Sequence, residues 1–141
     1  MPEAVFQIGQ KAVIINDKKQ VLMVGQKLKG MDFTAFDFPG GRINENEDDT
    51  IAELKREVYE ELQVDVEVGD VITFCLTKKR PQQKHRVALV LYECHITSGK
   101  PDTSKDEDVF CHKWVDVHDL SGVPGIRYGV ETIHKIENHA C

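Results

Sequence analysis

With 141 residues and 40% apolar content, the chain can close one hydrophobic core without disulfides or a structural metal, so a single domain over 1–141 is expected. A net charge of −6 speaks against an extended nucleic-acid footprint, which needs an excess of Lys and Arg. The longest apolar runs, such as Val87 to Leu91, fall far short of the roughly 20 residues that span a bilayer, and Met1-Pro2-Glu3-Ala4 has no basic stretch leading into an apolar one, so the expected setting is the cytoplasm, with no membrane.

In chain order, the runs Ala12 to Ile15 and Val21 to Val24 flank the turn-forming Asn16-Asp17-Lys18-Lys19 and predict a hairpin. Phe36-Asp37-Phe38 alternates and stops at Pro39-Gly40-Gly41, which predicts a short strand ending in a loop with unusual backbone angles. From Thr50 to Leu62 the period changes: Ile51, Leu54, Val58 and Leu62 form one apolar stripe at helical spacing. Thr50 followed by Glu53 fits a capping box and sets the predicted helix start. Strands are expected at Val64 to Val68, Val71 to Leu76, Arg86 to Ile96 and Cys111 to Val117, and a closing helix at Gly129 to Asn138. The order of elements predicts a mixed α/β domain. Cys75, Cys94, Cys111 and Cys141 show no zinc-type spacing and are expected as reduced thiols. In Cys94-His95 and Cys111-His112 the two side chains of a strand would point to opposite faces, which argues against shared ligation.

The chemistry concentrates in the predicted helix. Glu57, Glu60 and Glu61 stand at i, i+3 and i+4, so their carboxylates project from one face and repel one another. Oxygen-only ligands in such a cluster suit hard cations such as Mg²⁺ or Mn²⁺, while a merely solvated acidic face is the plainer alternative. Downstream, Lys78, Lys79, Arg80, Lys84 and Arg86 form the densest basic run, able to steer phosphates or to stand as a solvated hairpin tip. If the fold brings it to the acids, the pair suits a site holding metal and an anionic substrate together.

The segment Gly41 to Val64 resembles the Nudix box, G-x5-E-x7-R-E-U-x-E-E-x-G-U with U aliphatic: Gly41, Glu47, Arg56, Glu57, Val58, Glu60, Glu61 and Val64 fill its positions. There are two departures. Eight residues, Asp48 to Lys55, separate Glu47 from Arg56 where the pattern has seven, so the upstream acid is either Glu47 or Asp48; and Gln63 replaces a Gly whose place suggests a helix end. Phe38-Pro39-Gly40-Gly41 before the box and an acid-then-aromatic stretch from Glu107 to Trp114 after it are also in the order of the family.

The resemblance implies an α/β/α sandwich around a mixed sheet and the hydrolysis of a diphosphate linkage in a nucleoside diphosphate derivative. It implies Mg²⁺, with Mn²⁺ as the alternative, on Glu57, Glu60 and Glu61, with Arg56 orienting a box carboxylate. The general base is then a box glutamate or a downstream loop acid, Glu107 with Asp106 and Asp108 beside it. Gly40, Gly41, Arg80 and Arg86 are the candidate substrate contacts. Phe33, Phe36, Phe38, Tyr92 and Trp114 could stack on a base but fit core positions better. The expected partner is a small nucleotide-like molecule, and a homodimer is compatible with the family. A nucleotide-sensing or interaction module that has lost turnover remains the alternative from another class, which the intact Arg56, Glu57, Glu60 and Glu61 disfavour.

Overall fold

The computed structural model describes residues 2–27, 34–79, 81, 83–124 and 126–140. The strands are β1 (Gln7–Ile14), β2 (Gln20–Lys27), β3 (Thr34–Asp37), β4 (Gly40–Arg42), β5 (Asp65–Leu76), β6 (Val87–Ser98) and β7 (Cys111–Asp116); the helices are α1 (Thr50–Leu62) and α2 (Val130–Ala140), with a 3-10 turn at Val117–Gly122. The strands form a four-stranded sheet, β4-β1-β6-β5, and a three-stranded one, β3-β2-β7. In the larger sheet β1 runs parallel to β6 and antiparallel to β4, the mixed arrangement expected.

The predicted hairpin is corrected here. Its strands and turn are present: Asn16 Oδ1 accepts from the N–H groups of Lys18 and Gln20, and Lys19 N–H donates to Asn16 O. After the single bridge Ile15↔Val21, however, β1 and β2 part into different sheets. The reason lies in the two runs, which are apolar at every position rather than alternating and therefore need cover on both faces. Val13, Ile15, Val21 and Met23 pack into one cluster with Ile133 and Ile136 of α2. Ala12, Ile14, Leu22 and Val24 pack into another with Leu54, Val58 and Leu62 of α1. The sheets lie between two helical layers, giving the α/β/α sandwich.

Helix α1 has the predicted span, but its cap is Asp49, whose side chain accepts from Ala52 N–H, so Thr50 opens the helix instead of capping it. Asp in that position satisfies a first-turn donor and leaves Glu53 free to pair with Arg56. The helix ends on Gln63 in the left-handed conformation, φ 58°, its N–H bonded to Tyr59 O at 2.8 Å. Leu54, Val58 and Leu62 are fully buried, each stabilising the docked helix by about 1.5–3 kcal/mol.

Two further expectations change. The strands predicted at 64–68 and 71–76 are one strand, β5, broken in register between Val68 and Val71. Gly40 and Gly41 are not merely a loop: they form β4 against Lys11 and Gln10. Gly40 has φ +140°, and a Cβ there would strike the Gln10 carbonyl oxygen. Among the described residues no helix is long and apolar enough to cross a membrane.

Candidate active site

Docking α1 through Leu54, Val58 and Leu62 turns its acidic face toward β4, where a cleft of about 800 Å³ opens. Glu57, Glu60, Glu61, Gly40 and Gly41 all line it. Glu61 Oε2 accepts from Gly40 N–H at 3.1 Å. The Glu57 carboxylate lies so close over Gly41 that a Cβ there would overlap Oε2, which makes Gly41 a steric requirement of the site rather than of the backbone. Arg56 lies outside the cleft and pairs with both Glu53 and Glu60, so it fixes one acid from behind.

These carboxylates are poorly compensated. Burial pushes Glu61 up to about 8 although Lys11 and the Gly40 N–H pull it down, and Asp106 and Glu57 add to the rise. Burial raises Glu57 as well, against Lys11 and Arg56, with Glu47 and Glu60 adding. Glu57 Oε1 is buried without a hydrogen-bond partner. Among the described residues, six acidic side chains line the cleft, Asp37, Glu57, Glu60, Glu61, Asp106 and Asp108, against four cations, Lys11, Arg42, Lys84 and Arg127. Such a donor set fits a hard divalent cation, which would satisfy the orphaned oxygen and relieve the repulsion. Among the described residues no three carboxylate, imidazole or thiol groups already converge into a cage; Arg56 engages Glu60, and the Gly40 N–H engages Glu61.

The other candidates separate. Glu107 does not line the cleft; its neighbours Asp106 and Asp108 do. Asp106 Oδ1 accepts from the N–H groups of Asp108 and Val109, which ties their loop into a turn beside the acids. Arg86 also lies outside the cleft, its Nε donating to Thr77 O at 3.3 Å and its guanidinium stacked over Phe6. Of the basic run, Lys84 reaches the cleft, so acid and base do meet. Arg80, Phe33 and Cys141 fall outside the described residues. Glu47 acts on Glu57, whereas its own carboxylate is held by Asn44. Phe38 is fully buried, and Phe36, Tyr92 and Trp114 pack against the core clusters.

Sequence reasoning did not find a second group on the cleft wall. Asp37 Oδ1 accepts from Tyr128 O–H at 2.6 Å and from Phe38 N–H at 2.7 Å, while Oδ2 lies 3.5 Å from Lys11 Nζ and 3.8 Å from Arg127 Nη2. Burial alone would raise Asp37, but Lys11, Arg127 and the two hydrogen bonds together hold it below the usual carboxylate range. Burial beside Asp37 raises the Tyr128 hydroxyl well above its ordinary value, so it stays a donor. The available signals were Asp37, a charge between two aromatic residues, and Lys11, a charge opening an apolar run.

The model of the NUDIX domain matches residues 5–133. Among solved structures, the fold is similar to a MutT protein from Methanosarcina mazei Go1 (TM-score 0.76, 18% identity, 99% of this chain and 98% of that one). It is also similar to a NUDIX hydrolase from Nitrosomonas europaea (TM-score 0.75, 18% identity, 96% and 90%). A third similar structure is an ADP-ribose pyrophosphatase from Streptococcus suis 89-1591 (TM-score 0.71, 17% identity, 96% and 92%). At these identities the likeness is one of fold, and no curated protein matches in sequence. With the family model spanning nearly the whole chain and the box from Gly41 to Val64 folded as the end of β4, a loop and α1, this chain belongs to the NUDIX domain family.

Proposed function

We propose that the chain is a pyrophosphohydrolase that uses a divalent cation, Mg²⁺ or Mn²⁺, to break a diphosphate linkage in a nucleoside diphosphate derivative. The hydrolase class follows from membership of the family. One observation carries the cation: Glu57 Oε1 is buried and unpartnered beside Glu60 and Glu61 on the acidic wall of the cleft. Among the described residues the acids of the cleft outnumber its cations, so an anionic substrate is better held when a divalent cation enters with it.

Glu57, Glu60 and Glu61 would hold the ion, which when bound neutralises phosphate oxygens and acidifies a water. The protein does the positioning. Arg56 holds Glu60, the Gly40 N–H holds Glu61, and the bare α-carbon of Gly41 makes room for Glu57. Lys84 and Arg42 lie on the cleft for phosphate charge, and Asp106 or a box glutamate is placed to take the proton of the attacking water. The ADP-ribose pyrophosphatase among the similar folds favours a nucleotide derivative as substrate. A cytoplasmic setting and a homodimer belong to the same proposal, and Cys75, Cys94 and Cys111 are free thiols.

The test is Glu60→Gln and Glu61→Gln, assayed with Mg²⁺ on a panel of nucleoside diphosphate derivatives, with melting temperature as the folding control. Both variants should fold and lose turnover by about 10²-fold or more. Full turnover in both would refute the site, and binding without turnover by the unmodified chain would favour a sensing module.

A further inference from the structure

Arg127 is 9% exposed, lines the cleft, and leaves Nε and Nη1 buried without a hydrogen-bond partner. Among the described residues its ion-pair partner is Asp37, whose Oδ2 lies 3.8 Å from Nη2, beyond hydrogen-bonding distance. A buried guanidinium with unspent donors is costly unless something completes it. Asp37 cannot do so, because Tyr128 O–H and Phe38 N–H take up one of its oxygens and Lys11 shares the other. Lys11, which also acts on Glu57 and Glu61, and Arg127 both stand beside Asp37 and face the cleft that the acids of α1 enter from another wall.

We propose that Arg127, supported by Lys11, forms an anion subsite for a third, terminal phosphate beyond the diphosphate that is cleaved, so that nucleoside triphosphates are preferred to nucleoside diphosphates joined to an uncharged sugar. The inference rests on the hydrolase reading and names its substrate class. Cleavage consumes one water: its oxygen bonds the attacked phosphorus, the anhydride P–O bond breaks with its electron pair on the leaving pyrophosphate, and one proton passes to a base. Arg127 meets charge on the pyrophosphate that leaves, not the attacking water. It is therefore a specificity-determining residue. Planar guanidinium matches a phosphate in a way an ammonium does not.

The experiment compares ATP with ADP-glucose, which share a base, in Mg²⁺, for the unmodified chain, Arg127→Gln and Arg127→Lys, with melting curves for each. The unmodified chain should favour ATP in kcat/KM. Arg127→Gln should lose about 10- to 100-fold on ATP, mainly through KM, and no more than about 3-fold on ADP-glucose. Arg127→Lys, which keeps the charge and guards against a folding failure of the Gln variant, should lose less on ATP and equally little on ADP-glucose. Equal losses on both substrates, or a preference of the unmodified chain for ADP-glucose, would overturn the subsite. If neither substrate is turned over, the hydrolase reading is judged on a wider panel of nucleoside diphosphate derivatives, and the subsite is tested by calorimetric binding of a methylene-bridged ATP analogue: the Gln variant should bind at least about 10-fold more weakly, and equal binding would overturn it.

Discussion

Replacing Gly40 and Gly41 one at a time by Ala should separate two reasons for glycine in adjacent residues. At Gly41 the new methyl would lie 2.7 Å from Glu57 Cδ, and the obstacle is the end of a flexible side chain. The backbone can stay while the carboxylate, whose Oε2 is the nearest atom, retreats or swings aside by roughly 1.5–2 Å to reach ordinary contact distance. A displacement of that size at a reacting centre costs on the order of 10²-fold in rate, so Gly41→Ala should lose about that factor in kcat/KM, need more Mg²⁺, and melt within about 2 °C of the parent. At Gly40 the φ of +140° is barred to residues with a Cβ, and the obstacle is the Gln10 backbone oxygen. Gly40→Ala should cost about 1–3 kcal/mol, or roughly 3–10 °C in Tm for a domain of this size. Melting curves together with Mg²⁺ titrations of turnover read both effects. Full turnover in Gly41→Ala, or an equal loss of stability in the two variants, would refute the placement of Glu57 over Gly41.

Glu61 has a folded pKa of about 8 against 4.5 unfolded, so it keeps its proton longer when folded. The stability it contributes is complete below about pH 4.5 and is lost as pH rises through 8, so in chelator Tm should fall over that window, Mg²⁺ should stabilise most at the alkaline end, and Glu61→Gln should flatten the trend. A chelator Tm that rises between pH 6 and 9 would contradict it. Asp37→Leu leaves Lys11 and Arg127 uncompensated and should cost about 3–5 kcal/mol by urea unfolding; a loss under 1 kcal/mol would show that they do not depend on Asp37. Gln63→Gly relieves a side chain in the left-handed region and should raise stability by about 0.5–1 kcal/mol, measured the same way, with turnover unchanged; a lower Tm would contradict the strain.

Helix α1 was legible because a single stripe of Leu54, Val58 and Leu62 both makes and docks it, which fixes where Glu57, Glu60 and Glu61 point. Its cap was misplaced by one residue, since Asp49 and Thr50 are both good caps and only the backbone angle decides between them. The parting of β1 and β2 was not legible as a pairing, although the unbroken apolar runs did signal burial on both faces. The box acids reach the cleft because they share one rigid helix. By contrast, Glu107 and Arg86 sit on a loop and at a strand edge, where a shift of one residue sends a side chain elsewhere, and Asp106, Asp108 and Lys84 face the cleft instead. The Asp37, Lys11, Arg127 and Tyr128 group spans more than ninety positions in sequence, with Tyr128 91 residues from Asp37, and no local pattern could have joined them.

The most direct test of the whole account is turnover of a panel of nucleoside triphosphates, nucleotide sugars and ADP-ribose by the unmodified chain in Mg²⁺, in Mn²⁺ and in chelator. The account predicts release of a phosphorylated product from at least one member with either ion and none in chelator. Turnover that persists undiminished in chelator, or no turnover of any member with either ion, would contradict it.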